Sequence, residues 1–331
     1  MSVIHFLNVN EGDCSLIQHY SGHVTVIDVC NARPVSFVES WTDQTLKAEA
    51  KTSDLGIRGN FNQKRYSVNP VCYLKEHGID SVFRFILTHP DMDHLDGIKS
   101  FFDQFAPVNF WDIDNHVKKE FEEGSPYNPK DWEFYQNLRD TGPDNDPKRL
   151  TLLSGQEGKY WNVGENGSGG GDGFTILAPS STLVNEAHDC DDYNDCSYVL
   201  LYKTDGHRIV FGGDSHDKTW DYILSNHEES VTNIDLLVAP HHGRKSGRSY
   251  DFLNVLKPKM TFFGNARSQH LAYNAWNYRN LKFITNNQAG CMVVDGKDLS
   301  LYVTHEPFAK EVNPYTFYKQ DFRAFYIVTI V

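Results

Sequence analysis

Three short apolar runs, cut by glycine and polar residues, open the chain at 3–9, 14–20 and 23–28. Runs of this length between turn residues predict strands, so the chain is expected to begin as a β-meander. Residues 81–88 predict a buried strand, preceded by a helix over 70–77 and followed by helical spacing over 95–105. Residues 109–114 read as a strand and 132–139 as a helix. Further strands are expected at 174–178, 197–203, 208–211, 234–239, 260–263, 291–294 and 299–303, with helices over 217–225, 250–256 and 271–278. The apolar stretch 324–331 fits one more strand. Strands in runs at first, then alternating with helices, predict an α/β protein. Two polar stretches near 33–66 and 116–150 break the pattern and read as insertions into a single domain spanning 1–331. The glycine-rich stretch 164–173 lacks the Gly-Lys-Ser/Thr of a phosphate loop and reads as a flexible hairpin tip or linker.

Composition narrows the class. The 331 residues carry 31 Lys or Arg and 44 Asp or Glu, a formal charge of −13. Mean hydropathy is −0.51. No apolar run approaches the roughly 20 residues that span a bilayer. A cytoplasmic protein with no membrane partner is therefore expected. Six scattered cysteines without a C-x-x-C pair predict free thiols. The acidity argues against nonspecific coating of nucleic acid or anionic membrane, but leaves room for a local basic patch.

The candidate chemistry sits at three strand ends. His89-x-Asp91-x-Asp93-His94 packs four potential metal ligands into six residues, directly after a buried strand. A capping role accounts for one Asp, not for two His and two Asp. Phe211-Gly212-Gly213-Asp214 ends another apolar strand on a carboxylate, a weak signal alone. Pro240-His241-His242-Gly243 places two histidines at a third strand end. Together these ends supply enough ligands for two divalent ions sharing a carboxylate, with a hydroxide held between them. Arg244, Lys245 and Arg248 follow at once, and three cations within five residues favour an anionic substrate.

This ordered set resembles the metallo-β-lactamase fold superfamily. Asp28 matches its early Asp, Asp214 its bridging Asp, and Asp91 stands where the superfamily usually has a second His. Thr88-His89-Pro90-Asp91-x-Asp93-His94 and His241-His242-Gly243 further resemble the hydrolase domains of the ComEC-type DNA-uptake proteins. So do the opening strand with Gly12-Asp13, the strand near Asn194 to Leu200, and Gly290-Cys291-Met292. The resemblance spans nearly the whole chain outside the two insertions. It implies a four-layered αββα sandwich, metal ligands His89, Asp91, Asp93, His94, Asp214 and His242, and two divalent ions, zinc or manganese. Asp93, His241 and His270 are expected in catalysis, and Asn194, Arg244, Lys245 and Arg248 at the substrate. His242 is favoured as ligand and His241 as phosphate contact or proton donor, with the reverse left open. The superfamily's later His has no counterpart before Ser197. Asn194 or Asp195 could ligate or orient a water there, and His188 is a more distant candidate.

The implied activity is dimetal phosphodiester hydrolysis, with nucleic acid as the leading substrate. Small phosphodiesters such as phosphorylcholine esters, or lactone and lactam rings, are the alternative. A non-catalytic metal-binding scaffold is the alternative of another class. Asp91 trades an imidazole for a hard oxygen ligand, which shifts preference from Zn²⁺ toward Mn²⁺. Activity with Mn²⁺ is expected to be at least equal to that with Zn²⁺; strict Zn²⁺ dependence after metal stripping counts against this reading.

Overall fold

The computed structural model describes residues 1–9, 11–34, 61–140 and 146–330. The first insertion therefore lies largely outside the described residues, and the second is described except at 141–145. The chain builds two sheets in turn. Strands β1 (Val3–Phe6), β2 (Ser15–Gln18), β3 (Val24–Ile27), β4 (Arg84–Ile86), β5 (Asn109–Trp111) and β6 (Lys148–Leu150) start the first. Strands β7 (Phe174–Ala178), β8 (Val199–Thr204), β9 (His207–Phe211), β10 (Leu236–Val238), β11 (Met260–Phe263) and β12 (Phe283–Thr285) form the second, in the order β12-β11-β10-β9-β8-β7. Strands β13 (Met292–Asp295), β14 (Ser300–Val303), β15 (Tyr318–Lys319) and β16 (Ala324–Thr329) return to the first. Its order is β15-β16-β14-β13-β1-β2-β3-β4-β5-β6.

The expected meander is present, with β1, β2 and β3 paired antiparallel. The direction then changes. β3, β4, β5 and β6 run parallel, as do β9, β10, β11 and β12. Parallel neighbours need crossovers, and those crossovers supply the helices.

Strand alternation divides each sheet into two apolar faces. Ile4 and Phe6 of β1 point to the second sheet, where Phe6 meets the rings of Phe211 and Phe262. His5 points the other way, onto Tyr73 and His77. The outer face of the first sheet packs α1 (Pro70–Glu76), α2 (Ile98–Phe105) and α3 (Pro129–Asp140). Phe85 lies against Phe101 and Phe102, and Phe110 against Phe102 and Tyr135. On the second sheet's outer face a separate core joins Val199, Leu201, Val210 and Leu237 to side chains of three helices. These are Trp220 and Ile223, Leu253 and Leu256, and Trp276. Those three helices are α5 (Asp217–Val231), α6 (Leu253–Leu256) and α7 (Tyr273–Asn277), whereas α4 (Ser181–Cys190) packs Leu183, Val184 and Ala187 into the main core. Trp276 is fully buried and donates its indole N–H to Thr261 Oγ1 at 2.8 Å. Burial of a large apolar side chain contributes about 1.5–3 kcal/mol. Helices α8 (Asn286–Ala289) and α9 (Glu306–Val312) close the return to the first sheet. Helix, sheet, sheet, helix is the four-layered αββα sandwich that the sequence implied.

The glycine-rich stretch is not a free tip. Asp172 within it is buried and accepts from Arg84 Nη2 at 3.0 Å, inside the sandwich. All six cysteines are free. No helix among the described residues is long and apolar enough to cross a membrane.

Candidate metal centre

Parallel strands aligned in each sheet put their carboxyl ends on one edge, where chain leaving them can converge. β3 leads into Asp28, β4 into Thr88 and His89, β9 into Asp214, and β10 into His241 and His242. The two sheets thus aim these ends at one place. Two glycines permit the approach. Gly213 has φ +51°, and a Cβ on it would lie 2.7 Å from the carbonyl oxygen of Tyr198. A Cβ on Gly12 would lie 1.8 Å from the carbonyl oxygen of Asp93, so the turn before β2 sits directly on the ligand loop. Asp28, His241 and His242 themselves adopt left-handed backbone conformations, with φ of 57°, 51° and 55°. Such residues cost about 1–3 kcal/mol each and persist where the surroundings over-determine them.

The donor atoms lie at ligand spacing. Asp214 Oδ1 is 3.4 Å from His94 Nε2, and its Oδ2 is 3.7 Å from His242 Nε2 and 3.8 Å from His89 Nε2. His242 Nε2 is 3.4 Å from Asp93 Oδ2. Donors about 2.0–2.2 Å from a tetrahedral ion stand roughly 3.3–3.6 Å apart, so these separations suit an ion among them. His89 Nε2, His94 Nε2, His242 Nε2 and Asp214 Oδ1 are all buried without a hydrogen-bond partner. Four orphaned polar atoms facing one point are costly unless a cation satisfies them. The residues fit a divalent metal.

A second layer of carboxylates fixes which nitrogen faces inward. Asp28 accepts from Thr88 N at 2.7 Å and Thr88 Oγ1 at 2.8 Å, and its Oδ2 lies 2.9 Å from His94 Nδ1. Asp13 Oδ2 lies 3.0 Å from His242 Nδ1. Asp28 holds the outer nitrogen of His94 as N–H, and the Asp13 charge beside Nδ1 of His242 favours a proton there, which turns both Nε2 atoms to the metal position. Burial opposes charge on His242, yet Asp13 and Asp214 outweigh it and push its pKa up to about 10. Burial likewise opposes charge on His94, and Asp214 and Asp28 raise it well above the ordinary range. Metal uptake must therefore displace protons and strengthens as pH rises.

His241 is different. Its Nδ1 lies 2.9 Å from Arg248 Nη2. A guanidinium can only donate, so His241 Nδ1 is the acceptor and the neutral ring carries its proton on Nε2. That Nε2 is 3.6 Å from Asp214 Oδ2. Burial, with Asp214 opposing and His242 and Arg248 assisting, lowers the His241 pKa to about 4.

Of the residues singled out in the sequence, the structure gathers His89, Asp93, His94, Asp214, His241 and His242 at one centre. Asp91 lies at its edge, with Oδ2 3.5 Å from His89 Nε2. Arg248 departs from expectation. It is buried and donates to the carbonyls of Ser215 and Asp214 as well as to His241, so it braces the site from within. The ring of His270 is exposed, with Nε2 3.2 Å from Gln269 Nε2. Its backbone does adjoin the basic loop, since its carbonyl accepts from Lys245 N at 2.6 Å. Asn194 opens a 3-10 turn before Ser197, and its carbonyl accepts from Ser197 N at 3.1 Å. His188 turns away to the Asp114 carbonyl at 3.1 Å. Lys245 is exposed and Arg244 half-buried.

Sequence reasoning missed three kinds of residue. Asp13 had a visible signal, a carboxylate after a turn glycine, but its partner lies 229 positions away at His242. Lys119, from the second insertion, lies 2.5 Å from Asp91 Oδ1. Lys64 and Arg267 meet Glu11 Oε1 at 3.5 and 3.2 Å, on the turn that carries Asp13. Burial lowers the Lys64 pKa; Glu11 opposes this, while Arg267 and Arg244 add to it, so the three cations share one electrostatic neighbourhood.

No protein-family model and no curated protein matches this chain. Solved structures align with it at low identity. A metallo hydrolase from the hyperthermophilic archaeon Ignicoccus hospitalis is 12% identical over 88% of this chain and 99% of that one, with a TM-score of 0.47. An isothiocyanate hydrolase from Delia radicum gut bacteria is 13% identical over 89% of this chain and 99% of that one, at 0.45. A metal-dependent hydrolase of the β-lactamase superfamily is 14% identical over 86% of this chain and 96% of that one, at 0.44. Likeness at this level carries no argument about chemistry, which rests on the geometry of the centre itself.

Proposed function

We propose that this chain is a metal-dependent hydrolase of phosphodiesters, with nucleic acid as the leading substrate. The observation that carries the reading is the set of buried, partnerless donor atoms on His89, His94, His242 and Asp214, with Asp93 beside them. A divalent ion bound there supplies Lewis acidity and an acidified water. Asp93, His94, Asp214 and His242 would hold it, with Asp28 and Asp13 orienting the two rings. His241 presents an Nε2–H at the edge of the centre, and Arg248 fixes that tautomer. The ring is thus placed to give a hydrogen bond to a phosphoryl oxygen or to the leaving oxygen, which supports His242 as ligand and His241 as phosphate contact.

Substrate class is argued from charge. Lys64 and Arg267 meet Glu11 at the turn that holds Asp13, and Arg244 lies within electrostatic reach of Lys64. In an acidic chain this local reversal favours a polyanion over a neutral ring. Arg244→Ala and Lys64→Gln are each expected to weaken binding of a nucleic acid substrate several-fold. Each should also lower the slope of log affinity against log salt by about 1, as for one lost phosphate contact. Filter binding of the metal-loaded protein across a salt series measures both; an unchanged slope in both variants removes the rim from substrate binding.

The deciding experiment is a cleavage panel with Mn²⁺ and Zn²⁺ on single- and double-stranded DNA, RNA, cyclic dinucleotides, phosphorylcholine esters and a β-lactam. Cleavage of a phosphodiester by the wild-type chain and not by Asp214→Ala is the expected result. Turnover confined to the β-lactam overturns the reading.

A further inference from the structure

We propose that the ammonium of Lys119 takes the place of a second metal ion, so that this chain retains one divalent ion and not the two its ligand pattern implies. The inference rests on the metal-hydrolase reading above and concerns how that centre is filled.

The two ligand sets are unequal. Three triads of donor atoms converge within 4.8 Å among the described residues: His89, His94 and Asp214; Asp93, His94 and His242; Asp13, Asp214 and His242. Asp93, His94, Asp214 and His242 account for most of these atoms and define one well-furnished position. Asp91 belongs to none of the triads. Among the described residues the second position has His89 and a share of Asp214 as fully buried ligands, with His241 Nε2 3.6 Å from the same Asp214 oxygen but held by Arg248. The residues that could have completed it turn elsewhere: His188 to the Asp114 carbonyl, and Asp195 toward Thr219, whose Oγ1 lies 3.5 Å from its Oδ1.

Lys119 stands behind what remains, on the other oxygen of Asp91. Its Nζ lies 2.5 Å from Asp91 Oδ1, while Asp91 Oδ2 faces His89 Nε2 at 3.5 Å. The Lys119 ammonium is also held 5.6 Å from the centroid of the Trp132 ring, and its side chain is only 25% exposed. It is therefore a fixed charge and not a loose surface lysine. A dication placed between His89 and Asp91 would stand one carboxylate away from this ammonium and be repelled by it. The charges also balance. Asp91 and Lys119 together are neutral, as an imidazole at position 91 would be, so the carboxylate adds no net attraction for a second ion.

The test is metal stoichiometry, read independently of turnover. Wild-type chain is stripped, reloaded with Mn²⁺ and freed of excess by gel filtration. It is expected to retain one ion per chain by elemental analysis, with the six-line electron paramagnetic resonance signal of isolated Mn²⁺. Lys119→Met is expected to gain a second ion and the multiline signal of a coupled pair; Lys119→Arg, which keeps the charge, is expected to remain at one. Two ions in the wild-type chain overturn the proposal even if no variant folds. So does a folded Lys119→Met that stays at one. A wild-type chain that retains no ion fails the metal reading itself, which is a separate outcome.

Discussion

Asp214→Ala is expected to lose both metal retention and phosphodiester cleavage, the latter by on the order of 10³-fold or more, as for a member of a catalytic unit. No other side chain faces so many partners in the centre. Its two oxygens lie within 3.8 Å of ring nitrogens from His89, His94, His241 and His242. It is 3% exposed, so no water-filled space stands ready to replace it. Burial alone would raise its pKa, but His242, His94 and His89 hold it well below the ordinary carboxylate range, which keeps it ionised wherever the ion can bind. Removing it leaves the histidines without the carboxylate that draws them together, and an added ion with too few hard ligands. Elemental analysis, circular dichroism and the cleavage assay together measure the effect. A folded Asp214→Ala chain that still holds its ion and cleaves within tenfold of wild type would falsify the assignment of this centre.

Arg84→Met is expected to destabilise the fold by about 3–5 kcal/mol, the range for breaking a buried ion pair from one side. Arg84 and Asp172 are each about 1% exposed at the side chain, joined at 3.0 Å. Arg84 also donates to Thr25 Oγ1 at 2.9 Å and lies 5.0 Å from the Trp111 ring centroid. Methionine keeps the apolar contacts and abandons Asp172, which retains only Ser21 and His23 at the rim. The site edge is elsewhere, so metal content is expected to stay unchanged. Urea unfolding with unchanged m-value measures the loss, and Arg84→Met combined with Asp172→Leu is expected to recover most of it. A single-variant loss below about 1 kcal/mol, the level of an exposed pair, would refute the assignment. The pair also has a pH signature. Burial pushes Asp172 up, but His19 and Arg84 outweigh it and hold its pKa below the ordinary carboxylate range. A depressed carboxylate contributes stability that is full above its unfolded pKa and is lost as pH falls through the lower, folded value.

What could be read from the sequence was whatever chemistry is local. His89, Asp93, His94, Asp214 and His242 each leave the end of an apolar strand, and a strand end announces itself by pattern. Parallel alignment then brought those ends together without any further signal being needed. The residues missed act across the chain. Asp13 serves His242, Lys64 meets Glu11, and Lys119 reaches back to Asp91 from a polar stretch with no period of its own. Arg248 misled for the same reason. A cation three residues past a basic pair looks like solvent-facing charge, yet the turn at Gly247 sends it inward beneath His241. Short elements such as β6, β12 and α8 escaped because three or four residues carry too little pattern, and pairing with neighbours defines them.

The placement of β1 between β2 and β13 bears on the order of events during synthesis. One neighbour follows within a dozen residues; the other begins only at Met292. On a ribosome adding about 5–20 residues per second, that flank of β1 waits roughly 15–60 s for its partner. His242 likewise emerges long after Asp13, the carboxylate that aligns its ring. Half-made chains therefore expose an apolar ribbon that needs shelter, and they lack a finished cage for any ion. Any ion at this centre would therefore be captured by the completed polypeptide, from the exchangeable metal pool of that moment and not that of translation.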